Sequence, residues 1–68
     1  VKQAIDAEMF ARELRVRGVT IEDVARAALV GERTVYEAKT VGVMPRTIDR
    51  LSVAMPSIRK MLREGDER

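Results

Sequence analysis

Cysteine, histidine and tryptophan are all absent from the 68 residues. Without cysteine there is no disulfide and no thiolate metal site, which suits a reducing cytoplasm. Without histidine a zinc site would have to be built from carboxylates alone, and the commonest general base is missing. Glycine is scarce, at four residues, and none forms a phosphate-cradling loop. No apolar run approaches the roughly 20 residues of a membrane helix, and no signal-peptide pattern opens the chain. No nucleophile–base pair or metal cluster can be assembled. The expectation is a cytoplasmic binding domain rather than an enzyme, with no cofactor, no metal, no membrane contact and no small-molecule ligand.

What is present is charge, unevenly placed. The formal net charge is only +2. Residues 6–37 carry seven acids against five bases, whereas residues 38–63 carry six bases (Lys39, Arg46, Arg50, Arg59, Lys60, Arg63) against the single acid Asp49. A basic half favours an anionic partner, phosphate above all; the plainer reading is a solvated charged face. Arginine supplies ten of the thirteen bases, which suits bidentate contacts to phosphate or guanine, although a GC-rich genome has the same effect.

A chain of 68 residues is one small domain, in which every helix must contribute an apolar face. The stretch Thr20 to Thr40 organises the rest. Thr20 is a good N-cap, and Glu22 and Asp23 suit the positive end of a helix dipole. Ile21, Val24, Ala25 and Ala28 recur at spacings of three and four, which predicts a helix over about Ile21 to Ala28. The pattern breaks at Leu29-Val30-Gly31 and resumes in a second helix over about Glu32 to Lys39. There Val35 and Ala38 face inward, and Glu32, Arg33, Tyr36, Glu37 and Lys39 face outward. The small Ala25 and Ala28 permit a close helix crossing. This is the form of a helix-turn-helix whose second helix is presented to a partner.

The flanks are helical too. Val1 to Ile5 reads as a short, partly frayed lead-in. Asp6 is the expected N-cap of a first helix, with Ile5 and Phe10 spaced as a hydrophobic staple. Phe10, Leu14 and the stem of Arg17 are assigned inward, Met9 and Val16 beside them, and Gly18 closes the helix. Val41 to Met44 is a loop. Pro45 suits a first-turn position of a further helix bearing Ile48, Leu51, Ala54 and Met55 on one face. Pro56 ends it, and Ser57 is expected to cap a last helix, IRKMLRE. Gly65 to Arg68 reads as a mobile tail. The fold class expected is all-α: a compact five-helix domain containing a helix-turn-helix.

From Phe10 to Leu62 the chain resembles the lambda-type repressor and Cro family. The resemblance rests on Leu14-Arg15 with Gly18-Val19-Thr20, Glu22, Val24 and Ala25; on Val30 with Thr34-Val35; and on Pro45-Arg46, Ile48, Leu51, Ala54 and Met55. It implies a repressor-like fold. Two positions depart from the family. Leu29 stands where the family usually has glycine at the turn, and Gly31 where it usually has a Ser or Thr cap. Either the turn is reshaped around Gly31, or Leu29 takes the positive φ itself. Pro56-Ser57 also shortens the connection to the last helix.

A recognition helix in a major groove reaches base edges from its first turn and the next outward one. Those positions are Glu32, Arg33, Tyr36 and Glu37. Arg33 can hold guanine O6 and N7, or instead pair with Glu37. Glu37 can accept from cytosine N4, while Glu32 can simply favour the helix start. Tyr36 can touch a thymine methyl or a phosphate, or lie against the first helix. Thr34, Lys39, Arg46 and Arg50 are phosphate candidates, and Arg46 matches the family's arginine. Thr20 is a further phosphate candidate, with capping as its other role. Met55, Ile58, Met61 and Leu62 (with Met44) are surplus apolar material, read as core or as a two-fold dimer contact. The expected function is a sequence-specific regulator of transcription that binds double-stranded DNA as a homodimer. It would be Cro-like or repressor-like, acting in phage lysis–lysogeny control, and the length favours a compact Cro-like protein. The alternative is a helical protein-interaction module, antitoxin-like or partner-binding, without specific DNA binding.

Overall fold

Four α-helices and one 3₁₀ helix, with no strand, make up residues 1–63, the part of the chain that the computed structural model describes. The expected tail Gly65 to Arg68 lies outside those residues. Helix α1 spans Ala7–Arg17, α2 Ile21–Ala28, α3 Glu32–Ala38 and α4 Pro45–Ala54, and the 3₁₀ helix spans Pro56–Met61.

Local chemistry accounts for most of these boundaries. Asp6 caps α1, its Oδ1 accepting the Met9 amide at 2.9 Å. Gly18 ends that helix in the left-handed region at φ +69°, and the Val19 amide reaches the Leu14 carbonyl at 3.1 Å. Thr20 and Asp23 form a reciprocal capping box at the start of α2, with bonds of 3.0 and 3.2 Å. Pro45 occupies the first turn of α4, where its missing N–H costs nothing.

The core joins Ile5 and Phe10 to Val24, Ala25 and Ala28 of α2, Val35 and Ala38 of α3, Ile48 and Leu51 of α4, and Met55, Ile58 and Met61. Helix α2 packs on both α3 and α4, and the 3₁₀ helix packs on α4 and α1. The small Ala25, Ala28 and Ala38 are all buried, as a close approach of α2 and α3 requires.

Several expectations are corrected. The lead-in is not frayed. Gln3 and Val43 exchange amide and carbonyl at 2.7 Å each way, and Ile5 bridges antiparallel to Leu62. The Asp6 amide donates to Met61 at 2.8 Å, and Ala4 and Ile5 are buried. The first residues thus tie the α3–α4 loop to the last segment. The final helix is 3₁₀, entered through Met55 and Pro56 rather than through a Ser57 cap. Arg17 turns outward, and its Nε donates to Glu13 at 2.6 Å. That bond holds the Glu13 carboxyl below its ordinary range. Met55, Ile58 and Met61 are 1%, 0% and 4% exposed, and Leu62 is half-buried against the same core. A single copy of the domain already covers Met55, Ile58 and Met61, while Leu62 keeps part of its surface exposed.

Candidate nucleic-acid interface

Helix α3 is short, and its two sides differ sharply. Val35 and Ala38 are completely buried, whereas Glu32, Arg33, Tyr36 and Glu37 are exposed. Spacings of three and four explain the separation. The helix ends at Ala38, one residue earlier than expected, with Lys39 as its C-cap.

The turn before α3 resolves the alternative left open by the sequence. Leu29 itself takes the left-handed conformation, at φ +61°, and is the sole non-glycine residue with positive φ among the described residues. Its amide donates to the Arg26 carbonyl at 3.2 Å and that of Val30 to Ala25 at 3.0 Å. Gly31 then serves as N-cap in extended backbone, with no side-chain cap. The register of α3 therefore starts at Glu32.

Arg33 makes no ion pair with Glu37, nor with any other described residue. At the same spacing in α1, Glu8 and Arg12 do not pair either. Glu13–Arg17 and Glu22–Arg26, with the acid first, both pair across one turn. In Arg33–Glu37 the base comes first, the weaker order on a helix. Tyr36 is 49% exposed, and the Lys39 ammonium sits 5.1 Å from its ring centroid, in cation–π range. The Tyr36 ring therefore belongs to the outer surface. Thr34 is half-buried.

Arg46 and Arg50 lie one turn apart on the exposed side of α4, opposite Ile48 and Leu51. The acid between them, Asp49, is taken by Arg59 at 2.7 Å. Neither Arg46 nor Arg50 has an ion-pair partner among the described residues. Arg46 also lines an open concavity with Met44, Pro45 and Thr47.

Thr20 belongs with the caps. Its hydroxyl accepts the Asp23 amide, and its own amide is held by the Asp23 carboxylate. That carboxylate is kept below its ordinary range, first by the Thr20 amide, then by the Thr20 hydroxyl and the nearby Arg26. The Thr20 hydroxyl thus serves as the cap, and a carboxylate stands beside the helix start where a phosphate would approach.

Two segments remote in sequence meet the α3–α4 loop. The Gln3–Val43 pairing carries Lys2 against the α3–α4 loop, where Gly42 is buried at φ +101°. A Cβ at Gly42 would stand 3.0 Å from the Gln3 carbonyl oxygen and 3.4 Å from Lys2 Cβ. From the other end of the chain, Arg63 Nη2 donates to the Thr40 carbonyl at 3.0 Å. No local pattern announces either contact. The nearest signal is Gly42, a glycine where two backbones meet.

Among the described residues no group of acids could hold a metal ion, and no helix is long and apolar enough to cross a membrane. Comparison with family models, with curated proteins and with solved structures finds no match to this chain.

Proposed function

We propose that the chain binds double-stranded DNA, with α2 and α3 acting as a helix-turn-helix and α3 entering the major groove. The observation that carries this reading is the exposed face of α3. It presents Arg33, which has no ion pair among the described residues, together with Tyr36 and Glu37, and is backed by the buried Val35 and Ala38. A short helix with one face anchored in the core and the other offering a planar, unpaired guanidinium is suited to guanine O6 and N7. Lys39, Arg46 and Arg50 supply phosphate contacts in the segment that follows, with Thr34 as a further polar contact.

The likeness to the lambda-type repressor and Cro family extends the proposal to transcriptional regulation in the cytoplasm of a phage host. Each domain would occupy one half-site. A homodimer on DNA, if formed, uses surfaces other than Met55, Ile58 and Met61, which the core already occupies.

A protein-interaction module is the second reading, and it is favoured by the two carboxylates, Glu32 and Glu37, on the same exposed face. Salt separates the two. Duplex binding falls with salt at a log–log slope of about −0.9 per phosphate neutralised. Three such contacts (Lys39, Arg46 and Arg50) give a slope of roughly −3 in a fluorescence anisotropy titration. Binding that is absent at low salt favours the interaction module.

A further inference from the structure

We propose that Tyr36 reads the methyl group of a thymine in the major groove, and that Lys39 is its positioning residue, holding one face of the ring. The inference rests on the DNA-binding reading and adds a second base contact beside that of Arg33.

Tyr36 is the sole tyrosine, tryptophan and histidine are absent, and the one phenylalanine, Phe10, is buried. This ring is therefore the only aromatic surface the chain offers, and it is 49% exposed. The backbone beneath it is pinned. The Thr40 hydroxyl donates to the Tyr36 carbonyl at 2.8 Å, and the Gly42 amide donates to the Glu37 carbonyl at 2.7 Å. Lys39 is half-buried, so part of its stem is covered by the protein, and its ammonium stands 5.1 Å from the ring centroid. A cation at that distance is attracted to the π face, and an exposed pair favours its own geometry about two- to fivefold.

With one face occupied by the ammonium, the ring presents its other face and its edge. Neither can enter a stack of paired bases, and a phenol makes no bidentate match to a base edge. What the major groove offers to an apolar edge is the C5-methyl of thymine. Tyr36 follows Arg33 by three residues, a rise of about 4.5 Å along α3, against about 3.4 Å per base step. The thymine therefore belongs one or two steps from the guanine of Arg33. The role of Lys39 over the ring is additional to its phosphate contact and separable from it, because a phosphate contact acts on every duplex alike.

The test uses the full chain and the duplex it prefers from a randomised pool. Each thymine is replaced in turn by deoxyuridine, which removes only the methyl. The quantity read is the ratio of affinities for the two duplexes, in wild type, Tyr36→Ala, Lys39→Met and Lys39→Arg, with thermal melts to verify each fold. One thymine near the guanine should give a wild-type ratio of about four, the worth of one buried methyl. The ratio should fall to one in Tyr36→Ala and to about two or less in Lys39→Met, and Lys39→Arg should restore it. A uniform loss of affinity in Lys39→Met leaves the ratio untouched, so the phosphate contact does not mimic this result. A wild-type ratio of one at every thymine, or a ratio that persists in Tyr36→Ala, overturns the thymine contact. A full fourfold ratio in Lys39→Met overturns the positioning role. In each of these cases the duplex is still bound and the DNA reading stands. A wild-type protein that binds no duplex overturns both.

Discussion

Arg33 and Glu37 stand one turn apart on the exposed side of α3, with opposite charges, and they do not pair. Two other acid–base pairs at the same spacing do, through bonds of 2.6 and 3.0 Å. Charge order alone does not account for this, since Glu8 and Arg12, acid first at the same spacing in α1, do not pair either. Among the described residues, then, no ion pair has to break before the Arg33 guanidinium meets a partner. Arg33→Ala should leave the melting temperature nearly unchanged, because an exposed, unpaired side chain contributes little to folding. A fall of more than about 1 kcal/mol in chemical denaturation would show a structural role instead.

Leu29 holds a conformation that glycine adopts freely, at φ +61°, with its side chain 80% exposed. Leucine in this region costs about 1–2 kcal/mol, offset in part by the greater chain entropy of glycine. Leu29→Gly should stabilise the domain by about 0.5–1 kcal/mol and raise the melting temperature by a few degrees. Burial cannot compensate for the leucine, since so little of it is covered. A lower melting temperature would mean that Leu29 makes a contact the conformation conceals.

Gly42 poses the opposite case. Its φ of +101° and the 3.0 Å approach of a Cβ to the Gln3 carbonyl both exclude a side chain. Gly42→Ala should destabilise by about 1–3 kcal/mol, through strain and a disturbed Gln3–Val43 pair. Hydrogen exchange at the Gln3 and Val43 amides should speed up before that of the helices. Unchanged protection at both amides would refute the close packing.

The capping box makes a pH prediction. Asp23 has a folded pKa below its ordinary value of 3.8, because the Thr20 amide and hydroxyl and then Arg26 favour the carboxylate. A depressed carboxyl contributes stability that is fully present above the unfolded value and is lost as pH falls through the folded one. Asp23→Asn should therefore melt lower than wild type at neutral pH, with the gap closing as pH drops below 3.8. Because Asp23 is exposed, the gap is modest. A difference that persists in acid would assign the effect to something other than the charge.

Ile58 is completely buried in a single copy of the domain. Ile58→Ala should cost about 2–5 kcal/mol, and the loss should be the same at every protein concentration. A destabilisation that fades as the protein is concentrated would return Ile58 to a dimer interface, where mass action applies.

The fold was largely legible because its signals are local. Asp6, Gly18, Thr20 with Asp23, and Pro45 each mark a helix end through their own backbone or a neighbour three residues away. The bounds of α2 follow directly from Thr20 and the Val24, Ala25, Ala28 spacing. What escaped depends on distance along the chain. The lead-in reads as short and partly frayed, yet it is held by Val43, Ala38 and Met61, more than thirty residues away. The apolar surplus at Met55, Ile58 and Met61 suggested an interface because sequence counts apolar residues without locating them. That surplus belongs to the same core cluster as Ile5 and Phe10. In the candidate interface, periodicity placed Arg33, Tyr36 and Glu37 outward, but the Gln3–Val43 pairing that brings the lead-in against the α3–α4 loop has no local signal.

Selection of bound duplexes from a randomised pool, run in parallel with wild type and Arg33→Ala, tests DNA reading by α3 most directly. The expected wild-type result is an enriched motif containing a guanine in each half-site. With Arg33→Ala, preference at that one position should relax, at a cost of about 1–3 kcal/mol for the guanine duplex, while the rest of the motif persists. A wild-type pool with no enrichment at low salt, or an identical motif from the variant, would contradict the placement of α3 in the groove.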